Sequence, residues 1–300
     1  MEVILTGASG LIGEALVASL QQDGHRPVQL VRRSPKKNAD EIQWDPAEQK
    51  IDADSLASAD AVINLNGAGI GDKRWSDEYK KLLISSRTRP TSLLATTLAS
   101  LNSPPKIFLS GSAIGVYGDR SDEVLSEDSE HGSSFLSDLC TKWETAAQPA
   151  IDAGIRTAFL RTGIVLTPRG GALKKLLPLF KLGLGGKFGS GDQYMSWISL
   201  TDEVRAIVHL LDSDLKGPVN LTAPNPVTNA DFSKKLGQAL GRPAFLPVPA
   251  FGPKLLVGSE LADALLFDSA RILPMALTDD GFRFEHAQVE DAFRHEIQRI

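Results

Sequence analysis

A short apolar run, Val3-Ile4-Leu5, passes directly into Thr6-Gly7-Ala8-Ser9-Gly10-Leu11-Ile12-Gly13, and no other stretch restricts the fold as strongly. A strand that turns at once into a helix needs glycine where the chain doubles back. Three glycines also let phosphates approach bare backbone and let the helix start pack closely on the strand. The helix N-terminus adds unpaired N–H groups and roughly half a positive charge. Context agrees: Leu11, Ile12, Ala15, Leu16 and Leu20 fall on one helical face, Gly24 stands where a helix over 11 to 23 would stop, and Val28-Gln29-Leu30-Val31 follows as a second strand. The spacing predicts a pyrophosphate cradle in which Gly7, Ser9, Gly10, Leu11, Ile12 and Gly13 contact a dinucleotide.

The second strand ends at Arg32-Arg33, where a chain that reads a ribose 2′-hydroxyl would carry Asp or Glu. Guanidinium groups cannot accept a hydrogen bond, but they hold a 2′-phosphate through charge-assisted bonds worth roughly 1.5 to 3 kcal/mol each. The expected cofactor is therefore NADP(H); the alternative is a solvated basic pair in a surface loop. Further apolar runs, Ile42-Gln43-Trp44, residues 61 to 65, Ile107-Phe108-Leu109 and residues 157 to 160, alternate with helical stretches. Such alternation predicts an α/β fold, a Rossmann-type doubly wound parallel sheet over residues 1–165. Leu65, Asn66 and Gly67 follow a strand end, so they are candidate cofactor contacts as well. Pro90 predicts a kink or break near Arg89 in a helix over 77 to 101.

Beyond residue 165 the chain turns Gly- and Pro-rich. A smaller α+β substrate-side domain over 166–300 is expected, with a segment at about 195–222 returning to the first sheet. Gly183 to Gly191, with Lys187, reads either as a mobile lid or as a connector. The 300 residues carry a net charge of −5 and 42% hydrophobic residues, which argues against nucleic acid as a partner and fits a globular protein. Cys140 is the only cysteine, so no intrachain disulfide forms and a cytoplasmic location is expected, with Cys140 read as an inert small hydrophobe. No apolar run is long enough to span a membrane. The five histidines, His25, His131, His209, His286 and His295, lack metal-ligand spacing, so no metal is predicted.

A longer set of motifs includes Trp44-Asp45-Pro46, Asn64-Leu65-Asn66-Gly67-Ala68-Gly69, Asp72-Lys73-Arg74-Trp75, Ser85-Ser86-Arg87, residues 110 to 118, Trp143-Glu144 and Leu160-Arg161-Thr162-Gly163. Through them, and through Trp197-Ile198, Leu273-Pro274 and Gly281-Phe282, the chain resembles the extended short-chain dehydrogenases and, more narrowly, the YfcH-type epimerase family. The last pairs resemble that family's C-terminal domain of unknown function, over about 247–297. The resemblance implies bound NADP(H) and a cleft between two domains, where a small hydroxyl or carbonyl substrate of the nucleotide-sugar kind exchanges hydride. It places Ser112 beside the nicotinamide, against the alternative of a local turn hydroxyl. It also brings Arg161 to the same rim. Arg87 has the reach for a phosphate, or is a surface arginine. Oxidoreductases of this kind use a Tyr-x-x-x-Lys pair, and the chain has none: residues four after Tyr79, Tyr117 and Tyr194 are Leu83, Ser121 and Ile198. Alignment through Glu144 puts Leu136 and Cys140 at those two positions. Tyr117 is then the candidate replacement acid, or a packing residue. Without such a group turnover falls by about a hundred- to ten-thousandfold. The second functional reading is accordingly a non-catalytic NADPH-binding regulator, of the kind that the resemblance connects with cell division.

Overall fold

In the computed structural model, which describes residues 1–297, the first half runs β1 (Glu2–Thr6), α1 (Leu11–Gln22), β2 (Arg26–Val31), β3 (Glu41–Asp45), β4 (Lys50–Ile51), β5 (Ala61–Asn64), α2 (Asp77–Ser100), β6 (Ile107–Ala113), β7 (Val124–Leu125), α3 (Phe135–Thr145), α4 (Gln148–Asp152) and β8 (Arg156–Thr162). Val3, Ile4, Leu5, Val62, Ile63, Phe108 and Leu109 have no exposed surface. Strands this apolar on both sides belong to a sheet covered on both faces. One cover is built on α1 and on a later helix over residues 200–212, with Leu16, Leu20, Ile207 and Leu210 against the sheet. The other is built on α2 and α4, with Leu94, Leu98, Ala147 and Ala150.

The remainder continues as β9 (Ile164–Leu166), α5 (Gly171–Lys181), β10 (Tyr194–Met195), β11 (Trp197–Ser199), α6 (Leu200–Asp212), β12 (Gly217–Leu221), β13 (Val227–Thr228), α7 (Asn229–Leu240), α8 (Phe251–Val257), α9 (Ser259–Ala262), β14 (Arg271–Ile272), α10 (Met275–Asp279) and α11 (Val289–Ile297). Its own core joins Leu173, Phe180, Trp197, Phe232 and Phe293. The main sheet has the order β12-β8-β6-β5-β1-β2-β3-β4. Every pair in it is parallel except β3 with β4. β12 lies beside β8 along Gly217 to Leu221, so a late segment completes the early sheet. The order reverses between β1 and β5, where Thr6 pairs with Asn64. Ligands of open α/β sheets bind in the crevice at such a reversal.

Of the kink or break expected at Pro90, the break is absent: α2 runs continuously from Asp77 to Ser100. An interior proline costs roughly 3 kcal/mol. Pro90, Thr91, Leu93, Leu94 and Leu98 are all buried on that helix, and burial on this scale outweighs the loss of one backbone donor.

Candidate functional site

At the reversal of strand order the two loops are in van der Waals contact. Gly7 has φ +71°, and a Cβ there would stand 2.6 Å from the carbonyl oxygen of Leu65. A Cβ on Gly13 would stand 2.2 Å from the Gly7 oxygen and 2.8 Å from Ala8 Cα. Glycine is required because backbone meets backbone here. No side chain caps α1 at Gly10, which leaves its first-turn N–H groups for an anion. The second loop is held from below. Thr6 Oγ1 donates to Asn64 Oδ1 at 2.8 Å, Asn64 Nδ2 to Thr91 Oγ1 at 2.7 Å, Asn66 Nδ2 to Asn64 Oδ1 at 3.0 Å, and the Leu65 N–H to Thr6 Oγ1 at 3.1 Å. The sequence reading missed Thr6, Asn64 and Thr91; the signal was the placement of polar residues at the ends of apolar strands.

Arg87 is 9% exposed. Its guanidinium donates to the carbonyls of Leu83 and Ala68, both at 3.0 Å, and lies over the Trp143 ring. In this position it braces the loop after β5 instead of reaching across the cleft. Burial lowers its pKa.

Arg32 and Arg33 differ in their partners. Arg33 is paired bidentately with Glu41, at 2.6 and 2.8 Å. The same hydrogen bonding, with that from the Lys36 amide, holds the Glu41 carboxyl down at about 2. Arg32 is exposed and, among the described residues, makes no hydrogen bond or ion pair, so it is the free cation at the end of β2.

Ser112, at the end of β6, sits on a buried polar chain. Its Oγ donates to Glu144 Oε1 on α3 at 2.7 Å. Both Glu144 oxygens accept from Arg161 on β8, at 2.9 and 3.0 Å. The other Arg161 donors go to Tyr117 Oη at 2.9 Å, the Glu127 carbonyl at 3.2 Å and His131 Nε2 at 2.9 Å. All five N–H bonds of the guanidinium are therefore used. Arg161 is 3% exposed, and its expected cofactor contact is corrected: no donor is left to point into the cleft. Burial works against its charge, but Glu144 outweighs burial and the guanidinium's pKa rises. Because Arg161 can only donate, His131 Nε2 accepts and its Nδ1–H goes to Thr141 Oγ1 at 3.0 Å.

Tyr117 is also corrected. It has no exposed surface, donates to Asn220 Oδ1 at 2.7 Å and has its pKa raised by burial. A phenol enclosed in this way cannot reach a substrate. Cys140, 1% exposed, has its thiol pushed up to about 12 by burial and by Glu144. Leu136 lies against Gly115. The loop with Lys187 is tied down: Phe188 N–H donates to Asn229 Oδ1, Gly189 N–H to the Val248 carbonyl and Lys187 Nζ to the Ser190 carbonyl. These contacts match a connector.

Glu203, on the first turn of α6, was not foreseen either. It has no exposed surface, accepts only from Thr162 Oγ1 at 2.8 Å, and its Oε2 has no partner among the described residues. Burial raises its pKa to about 8, partly offset by the Thr162 hydroxyl. Protons are thus bound more tightly by the folded chain. The stabilising contribution is complete below the ordinary carboxyl range and is lost as pH rises through about 8. Glu203→Gln is expected to flatten the decline of Tm between about pH 5 and pH 9; parallel curves for the two proteins would contradict this. No helix among the described residues is long and apolar enough to cross a membrane, and among them no group of three or more His, Cys, Asp or Glu could hold a metal ion.

Comparison with known proteins bears on the whole chain. Residues 3–221 match the NAD dependent epimerase/dehydratase family, and residues 248–296 match a domain of unknown function, DUF1731. Epimerase family protein Mb2239 of Mycobacterium bovis is 43% identical over 298 residues, covering 99% of this chain and 98% of its own. The crystal structure of human epimerase family protein SDR39U1 with NADPH superimposes with a TM-score of 0.90 at 31% identity, covering all of both chains. That of a nucleoside-diphosphate sugar epimerase from Corynebacterium glutamicum gives 0.81 at 38% identity, over 99% of this chain and 58% of that one.

Proposed function

The chain belongs to the NAD dependent epimerase/dehydratase family, and on that premise we propose that it is an NADP(H)-binding, epimerase-like oxidoreductase acting on a small hydroxyl or carbonyl compound of the nucleotide-sugar class. The observation that carries this is the conjunction of a glycine turn closed on Leu65 with one unpaired arginine at the end of β2. The uncapped start of α1 suits a pyrophosphate, and Arg32 suits a 2′-phosphate. The human relative crystallised with NADPH supports the same choice of cofactor. Bound there, the nicotinamide supplies a hydride donor or acceptor. Asn64, Thr6 and Arg87 shape the loop against which it would lie, and Ser112 offers an oxygen to the substrate. Arg33, held by Glu41, contributes less than Arg32.

Arg32→Glu is expected to weaken NADPH by about ten- to a hundredfold while leaving NADH nearly unchanged. Calorimetric titration of both cofactors measures it, and an unaltered NADPH/NADH ratio would remove the basis for the assignment. A second reading has its own observation. Leu136 and Cys140 stand at the positions aligned with tyrosine and lysine, and Tyr117 is enclosed, which suits a non-catalytic NADPH-binding regulator. With NADPH and a panel of carbonyl compounds and UDP-sugars, turnover lost in Ser112→Ala supports the enzyme. Tight cofactor binding without turnover supports the regulator.

A further inference from the structure

We propose that Ser112 meets its ligand solely as a hydrogen-bond acceptor, so that the group seated on it is the hydroxyl of an alcohol and not the oxygen of a carbonyl. The inference rests on the reading that this cleft takes NADP(H) together with a hydroxyl or carbonyl compound. A serine hydroxyl has one proton and two lone pairs. The Ser112 proton is engaged by Glu144 Oε1 at 2.7 Å. Each Glu144 oxygen accepts from Arg161, so neither offers a proton back to Ser112, and Arg161 is held in turn by the Tyr117 hydroxyl, the Glu127 carbonyl and His131. Only lone pairs of Ser112 remain for a ligand.

Neighbouring groups do not reverse this polarity. Leu136 has no donor, and the Cys140 thiol is 1% exposed. The Tyr117 hydroxyl is spent on Asn220. Ser110, two residues back on the same strand face, has no exposed surface. A carbonyl oxygen placed on Ser112 would face another oxygen's lone pairs in a dry site, whereas an alcohol would donate. One competing donor is the carboxamide NH2 of the cofactor itself, and the test separates the two.

The full chain is saturated with the redox-inert tetrahydro analogue of NADPH, then titrated with isopropanol or acetone while the amide resonances of Ser112 and Ala113 are followed. Isopropanol is expected to bind about tenfold more tightly than acetone, and Ser112→Ala to abolish the difference through its effect on isopropanol. Glu144→Gln is expected to narrow the preference: Oε1 accepts from both Ser112 and Arg161 Nε, so an NH2 in that place gives up the Nε bond, donates to Ser112 and releases the serine proton toward acetone. If Glu144→Gln does not fold, Ser112→Ala decides alone. No isopropanol at the Ser112 resonances, or equal occupancy by acetone, overturns the proposal. So does a tenfold loss of affinity for the analogue alone in Ser112→Ala, which would assign the donor to the cofactor carboxamide. Failure of the wild-type chain to bind the analogue sinks the cofactor reading instead.

Discussion

Gly13→Ala is expected to weaken NADPH binding by about thirty- to a hundredfold. The added carbon would sit 2.2 Å from the Gly7 oxygen, 2.8 Å from Ala8 Cα and 2.9 Å from the Gly7 carbonyl carbon. Every one of these atoms is backbone, so no rotamer change relieves the overlap. The turn itself must open, and overpacking of this kind costs roughly 2 to 3 kcal/mol, or about that loss in affinity. The geometry also predicts a gradient. A Cβ on Gly10 meets the Gly7 oxygen at 3.1 Å, so Gly10→Ala should be milder. Gly252 has nothing within 4 Å, and Gly252→Ala should bind NADPH like the parent. Isothermal titration of the three variants measures the series; equal affinities for Gly13→Ala and Gly252→Ala would show that this turn does not approach the cofactor.

Local features were the legible ones. The glycine turn, the amphipathic α1 and the apolar strands are each specified by residues within a dozen positions of one another, and periodicity reports such contacts directly. The doubly wound sheet follows because strands of this apolar character need covering helices on both faces. Long-range pairings were invisible. Arg33 looked like a second phosphate ligand because Glu41 comes into register only when β3 pairs with β2. Arg161 looked available at a strand end, yet its acceptors come from Glu144, Tyr117, Glu127 and His131, 17 to 44 residues away. Arg87 was misread for the same reason, since the carbonyl of Ala68 reaches it only after α2 packs beneath the loop. Pro90 was a strong local signal for a break, and the break lost to tertiary burial. Glu203 carries no signature in a single sequence, because an acidic residue in the first turn of a helix is ordinary on dipole grounds. Only its enclosure makes it unusual.

The pair Glu144 and Arg161 gives the second large expectation, a test of whether the buried chain behind Ser112 acts as a unit. Arg161→Leu alone should cost about 3 to 5 kcal/mol of folding stability, because it leaves a carboxylate 8% exposed with no counter-charge. It also removes the donors that serve the Glu127 carbonyl and the Tyr117 hydroxyl. Glu144→Leu should cost a similar amount, by stranding the guanidinium and the Ser112 proton. Replacing both with leucine removes each uncompensated charge at once. The double variant is therefore expected to lose at least about 2 kcal/mol less than the sum of the singles, read from urea unfolding with the slopes held comparable. Additivity within about half a kcal/mol would mean that the two groups are solvated independently, and Ser112 would then be free to turn its proton toward a ligand. A strong coupling keeps the serine fixed as an acceptor, so the same unfolding measurement bears on the chemistry of the cleft. It also accounts for the fixed direction of the Ser112 proton at the end of β6, which points to Glu144 Oε1.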